Sequence, residues 1–352
     1  MSQNIKEEND KDKYEESLSI EVTNRCNSTC SHCFVRAAIS EYSDLSTDLV
    51  RKIISEGYRL GYRRLHITGG EPLLWAGLDE SLDYAFSLGY EKVFINTNGT
   101  LLTDGLISRL SGYDGFSISV SLEGPESLHD RIRGQGSCRQ TEQGIERALD
   151  AGIDLCIFAV VSKSLLPLLP HFIDGLYERF PDIRLFSLIQ LVRVKDDIFD
   201  LSDELLDPED FLKLVQMVSL LNLYGHKTEI LNNPLAVVVS KLFGMPLIPR
   251  VRPLHRNGHL IVMANRNIAL AHSTFYSFGK YESGMIERVL ASNDYRIAVE
   301  PDETTCPSCG YFRLCKELGM IRPSEWFRDR RREIPFCKRV LDRAASSLSN
   351  SL

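Results

Sequence analysis

The sequence predicts an α/β fold built on a parallel sheet, and three observations predict it. Six short β-rich runs alternate with stretches of helical spacing between about residues 18 and 190. Glycine- or asparagine-bearing turn segments close several of those runs. At 352 residues the chain is long enough for two domains and a sizeable core. Strands that alternate with helices pair in parallel through right-handed crossovers. The sheet is then either open and doubly wound or a partial (β/α) barrel. In both, chemistry gathers in the loops at the C-terminal ends of the strands.

The strand-like runs lie at 18–23, 64–68, 92–97, 115–121, 153–161 and 183–189, rich in Val, Ile, Phe and Thr. Helical spacing of apolar residues marks 48–60, 78–88, 104–110, 140–151 and 168–180. After Gln190 the rhythm gives way to an acidic linker at 195–210, a helix at 208–223 and an apolar core helix at 235–243. Residues 1–16 carry six acidic and three basic side chains and read as a disordered acidic tail. The division expected is therefore a barrel domain over 17–225, then a linker and cysteine-rich domain over 226–352.

Composition excludes several classes. Charged residues at 25% and hydrophobic ones at 43% rule out global disorder, collagen-like repetition and a small disulfide scaffold. A net charge of −7 argues against nucleic acid as an obligatory partner. The N-terminus lacks the apolar stretch of a signal peptide, and the most apolar segment, 235–248, is too short for a bilayer and contains Lys241 and Pro246. A cytoplasmic protein without a membrane partner is expected. Thiols stay reduced there, so the nine cysteines read as ligands or catalysts before disulfides.

Cys26, Cys30 and Cys33 stand at a C-x3-C-x2-C spacing just after the first strand. Three thiolates this close can converge on one centre. Zinc would take a fourth ligand, with His32 available. An iron–sulfur cubane held by three cysteines would leave one iron open. The second strand runs into Gly69-Gly70-Glu71-Pro72, where glycines allow close approach and the carbonyls and Glu71 can receive an ammonium group. The third ends in Asn96-Thr97-Asn98-Gly99 and the fourth in Ser119-Val120-Ser121-Leu122-Glu123-Gly124.

Over 18–190 these motifs, CNSTCSHC, TGGEP, NTNG and SVSLEGPESLHDRIRG, resemble the radical S-adenosylmethionine (SAM) superfamily in order and spacing. The resemblance implies a partial (β/α)6 TIM-like barrel in which Cys26, Cys30 and Cys33 bind a 4Fe–4S cluster. SAM would chelate the open iron, with Gly69, Gly70 and Glu71 cradling its ammonium. It also implies His32 near the adenine, and Ser121 and Arg133 near the ribose and carboxylate. A flavodoxin- or ferredoxin-type protein would donate the electron that cleaves SAM to a 5′-deoxyadenosyl radical.

Four further cysteines, Cys306-x2-Cys309-x5-Cys315 and then Cys337, fit a zinc knuckle as a bare pattern. Beside the first cluster they resemble the SPASM-like auxiliary-cluster domain, implying one auxiliary 4Fe–4S cluster with four cysteine ligands. That domain's usual first auxiliary cluster is not matched: His255, His272 and Gly319 stand at its ligand positions. Ser273 replaces the Asp base of sulfatase-maturing relatives, which argues against formylglycine formation. Two cysteines are left over. Cys156 lies in an apolar run and reads as core; Cys138 lies in a Gly-rich loop that suggests exposure and is a candidate hydrogen-atom donor to a substrate radical. The basic segment 322–343 reads as a solvated helix face.

The function expected is SAM-dependent radical modification of an unactivated C–H position, foremost on a ribosomally made peptide. A small molecule, such as a tetrapyrrole side chain or an antibiotic intermediate, is the alternative substrate. A non-catalytic zinc or iron–sulfur scaffold is the alternative of another class.

Overall fold

Strand β1 (Leu18–Thr23) is buried along its whole length, and the sheet is laid out from it. The computed structural model describes residues 17–33, 41–192, 200–231, 233–245, 258–270, 272, 277–299, 309–313 and 336–349. The tail at 1–16, His255, Ser273, Cys306, Cys315, Gly319 and the basic stretch before 336 lie outside the described residues. After β1 come α1 (Thr47–Arg59), β2 (Arg64–Gly69), α2 (Leu78–Leu88), β3 (Lys92–Thr97), α3 (Asp104–Leu110) and β4 (Phe116–Ser121). Then follow α4 (Glu126–Arg133), α5 (Ser137–Asp150), β5 (Asp154–Val161), α6 (Leu169–Arg179), β6 (Leu185–Gln190), α7 (Pro208–Leu223) and β7 (Thr228–Ile230). The chain continues with α8 (Pro234–Leu242), β8 (Leu260–Val262), β9 (Ile268–Ala269), α9 (Met285–Leu290), α10 (Asn293–Val299) and α11 (Phe336–Ser349).

Strands β1 to β7 pair in parallel in chain order. This is the parallel α/β sheet of a partial barrel. Alternation along each strand divides its two faces. Leu18, Ile20, Val22, Leu65, Ile67, Val93, Ile95, Ile118 and Val120 join the core that the helices cover. The intervening residues, among them Glu21, His66, Asn96, Ser119 and Ser121, give the other face a polar character. Local chemistry sets the helix starts. Ser46 and Thr103 cap α1 and α3 through their hydroxyls, and Asp207 opens α7 with a capping box and Pro208 at its first position.

Two expectations require correction. The boundary at 225 does not divide the sheet. β7 pairs with β6, and β8 lies beside β1 on the opposite side, so residues beyond 225 extend both edges. β7, β8 and β9 span only two or three residues each, too short for a periodic signal. The later segment is also tied to the first helix. The buried Glu56 carboxylate on α1 accepts from Tyr281 Oη at 2.8 Å, Gly284 N at 2.9 Å and Ile286 N at 3.0 Å, at the start of α9.

The second correction concerns Cys138. Helix α5 starts at Ser137, three residues earlier than expected, because the Asp130 carboxylate caps it from outside. That carboxylate accepts from Gly136 N at 2.7 Å and Cys138 N at 2.9 Å. Cys138 is 2% exposed and packs in the hydrophobic core. Burial pushes its thiol up to about 12. It is not the exposed loop thiol that the glycines around it suggested. Cys156 is buried as expected, on the β5 face opposite Leu155 and Ile157, with Arg184 Nη2 donating to its sulfur at 2.7 Å.

Candidate functional site

The loop after β1 is built on its neighbours rather than on itself. Thr23 Oγ1 donates to Asp44 Oδ1 at 2.5 Å, and Arg25 forks onto the Asp44 carboxylate at 3.0 and 2.6 Å. Asn24 donates to the Glu41 carbonyl at 2.6 Å and accepts from Ser43 N at 2.8 Å. The loop then lies against the end of β2. Gly70 N donates to Thr23 O, and Glu71 N to Arg25 O, both at 2.7 Å.

This contact explains the two glycines. A Cβ at Gly69 would stand 2.4 Å from Thr23 O, and one at Gly70 only 2.2 Å from Arg25 O. The atoms met are backbone, so no side chain can move aside. The glycines serve first to let two strand ends touch.

Glu71 is fully buried. Its carboxylate accepts from Leu73 N at 3.1 Å, Thr97 Oγ1 at 2.8 Å and Asn98 N at 2.8 Å. Three internal donors make it a strut between the ends of β2 and β3, with about one of a carboxylate's four acceptor sites left for a ligand. Burial raises its pKa, against those three hydrogen bonds. Glu71→Ala would leave two amides and a hydroxyl without their acceptor, an expected destabilisation of about 3 kcal/mol. Chemical denaturation of the purified variant measures it.

The third motif braces the loop as well. Asn98 Nδ2 donates to Asn27 Oδ1 at 2.7 Å, and Asn27 Nδ2 donates to Thr100 Oγ1 at 2.9 Å. Thr100 N and Oγ1 return to Asn98 Oδ1 at 3.0 and 2.7 Å. Asn27 sits between Cys26 and Cys30, so the end of β3 grips the cysteine segment directly. Sequence reasoning read NTNG as a turn and gave Asn27, Asn98 and Thr100 no part. An asparagine inside the C-x3-C gap was the available signal.

On the far side the loop meets α4. Ser31 N donates to Ile132 O at 3.3 Å. Glu123, fully buried just beyond β4, accepts from Arg133 Nε at 3.0 Å, from Arg133 Nη2 and from Val160 N at 2.8 Å. His32 Nε2 lies 3.3 Å from the same carboxylate. His32 is thus directed at Glu123. Burial alone would raise Glu123, but Arg133, His32 and the Val160 amide hold it well below the usual carboxylate range. Ser121 ends β4 two residues away and is half-buried.

Cys26, Cys30 and Cys33 are all half-buried, and Cys33 N donates to Cys30 O at 3.2 Å. Burial pushes the Cys26 thiol up to about 11, with the charges of Glu71, Cys30 and Cys33 adding to the rise against an opposing Ser28 amide. Burial also raises Cys30, and the Arg133 guanidinium opposes it. Three half-buried thiols within eight residues of one braced loop fit a shared iron–sulfur cluster, which takes them as thiolates. Among the described residues no three His, Cys, Asp or Glu side chains are grouped to hold a single metal ion. Of the other cysteines, Cys309 and Cys337 are described and half-buried, Cys337 on α11. Phe336, beside it, packs edge-on against Phe211 of α7 at 5.8 Å.

Comparison with known proteins places this geometry. Residues 20–166 match the family model of the Radical SAM superfamily. The chain carries a radical SAM domain. An AdoMet-dependent heme synthase of Oleidesulfovibrio alaskensis is 35% identical over 153 residues, 43% of this chain and 39% of that protein. Mycofactocin maturase MftC of Mycolicibacterium smegmatis is 31% identical over 157 residues, 44% of this chain and 40% of that protein. The chain thus spans about two-fifths of the length of these curated relatives. Native anSMEcpe with bound AdoMet and Kp18Cys peptide shares the fold, with TM-score 0.69 at 19% identity over 95% of this chain and 98% of that one. The three cysteines, the Gly-Gly-Glu segment, the NTNG turn and Ser121 through Arg133 all fall inside the radical SAM match. No helix among the described residues is long and apolar enough to cross a membrane.

Proposed function

We propose that this radical SAM protein is an enzyme that cleaves SAM reductively and modifies an unactivated C–H position on a ribosomally made peptide. The observation that carries the reading is the cysteine loop, braced from the ends of β2, β3 and β4 at the rim where barrel chemistry gathers. Cys26, Cys30 and Cys33 would hold the 4Fe–4S cluster. When bound, the cluster and SAM supply one electron and a 5′-deoxyadenosyl radical. The chain's own residues then do the positioning: the backbone at Gly69 and Gly70 for the ammonium, Ser121 for the ribose, and Arg133 for the carboxylate. An electron donor of flavodoxin or ferredoxin type is part of this reading, as is an auxiliary 4Fe–4S cluster on Cys306, Cys309, Cys315 and Cys337.

A peptide substrate is favoured because a structure with bound peptide, and a maturase, stand among the similar proteins. The AdoMet-dependent heme synthase favours a second reading, a tetrapyrrole or other small molecule. Anaerobic reconstitution with metal and sulfide analysis tests the assignment. About eight iron atoms per chain are expected, from two four-iron clusters, with 5′-deoxyadenosine formed under strong reductant. Zinc without sulfide overturns it. Incubation with precursor peptides and with iron porphyrins, read by mass spectrometry, separates the two substrates.

A further inference from the structure

Glu123 has no place in the assignments above, yet its carboxylate joins four parts of the site. It follows β4, accepts from the β5 amide of Val160 at 2.8 Å, takes both Nε and Nη2 of Arg133 from α4, and meets His32 of the cysteine loop at 3.3 Å. Its own amide donates to His129 Nδ1 at 3.1 Å, which fixes the turn from the other side. Arg133, at 11% side-chain exposure, cannot turn to water, and its guanidinium opposes the rise of the Cys30 thiol. The Ser31–Ile132 backbone bond holds α4 and the loop in that register. The buried Glu123–Arg133 ion pair thus lies against the cysteine loop, touched by His32 from the loop and held to it through Ser31 and Ile132.

We propose that Glu123 is a positioning residue that aims Arg133 at the cysteine thiolates and offsets its charge, so that the pair sets the reduction potential of the SAM-binding cluster. The proposal rests on the cluster assignment made above. Net charge and the groups around cluster sulfurs govern such potentials, and charges act strongly where burial excludes water. The two members must then work in opposite directions. Removing the anion leaves the cation uncompensated and favours the reduced cluster. Removing the cation favours the oxidised one.

The test uses the full chain and its E123Q, R133Q and E123Q/R133Q variants, reconstituted anaerobically without SAM. Iron and sulfide content is measured, and the potential is read by electron paramagnetic resonance during a redox titration. E123Q is expected to shift the potential upward, R133Q downward, and the double variant to return close to the starting value. A cluster that loads fully but keeps its potential in both single variants, or shifts the same way in both, overturns the proposal. Should E123Q fail to retain iron, E123D, which keeps the charge, is expected to restore both loading and potential. Failure of that rescue, or an unmoved potential in R133Q, also overturns it. An unmodified chain that takes up no iron and sulfide refutes the cluster assignment itself, a distinct result.

Discussion

Replacement of Cys26, Cys30 and Cys33 by alanine is expected to abolish 5′-deoxyadenosine formation completely and to remove about four iron atoms per chain. The fold should survive. All three thiols are half-buried at the rim, none belongs to the hydrophobic core, and the braces around them run through Thr23, Arg25, Asn27 and backbone groups. Melting of the metal-free variant should match that of the metal-free parent chain. Iron analysis, product assay and thermal melting together check this. Product formed without the three thiols would refute the assigned cluster.

Gly70→Ala is expected to have the second largest effect, though it touches no ligand. The added Cβ would meet Arg25 O at 2.2 Å, Arg25 C at 2.6 Å and Asn24 O at 2.6 Å. To relieve those contacts the peptide bonds on either side of Arg25 must withdraw from β2. That breaks the hydrogen bonds of Gly70 N to Thr23 O and Glu71 N to Arg25 O. Overpacking against well-placed atoms costs about 1–3 kcal/mol, and a backbone neighbour puts this case near the upper end. Cys26 follows Arg25 directly, so the displacement reaches the first of the three thiols proposed to hold the cluster. Iron uptake should fall severalfold and the melting temperature with it. Gly175→Ala, inside α6 at a position where a Cβ meets nothing within 4 Å, is the control: iron uptake should stay unchanged and the melting temperature should hold or rise slightly.

The fold was legible where periodicity is long. The six strand runs expected from sequence appear as β1 to β6, and β1, β3, α2, α3 and α7 begin and end where the sequence places them. Less legible was anything made by contact at a distance. β8 is three residues long and forms because β1 offers an open edge, which no local pattern announces. α4 is short and largely polar, and it was hidden inside a stretch read as a motif. Cys138 was misread because glycines on one side suggested exposure, while the capping of α5 depends on Asp130, eight residues earlier. In the site, cysteine spacing singled out the three thiols that the proposal assigns to the cluster. What the residues between them do, Asn27 above all, required the partners on β3 and α4.

β8 beside β1 and the Glu56 tether to α9 also bear on what can be cut away. Without the chain beyond 225, β1 would present an unpaired row of backbone groups along a strand otherwise wholly buried, the geometry that recruits other chains into aggregates. Glu56 would lose Tyr281 and the three amides that face it, and the face of α1 that they cover would be laid open. The half that carries the cysteine loop is therefore not a detachable module. Exchange of substrate-facing segments among relatives has to keep this seam intact, which limits grafting to loops at the strand ends.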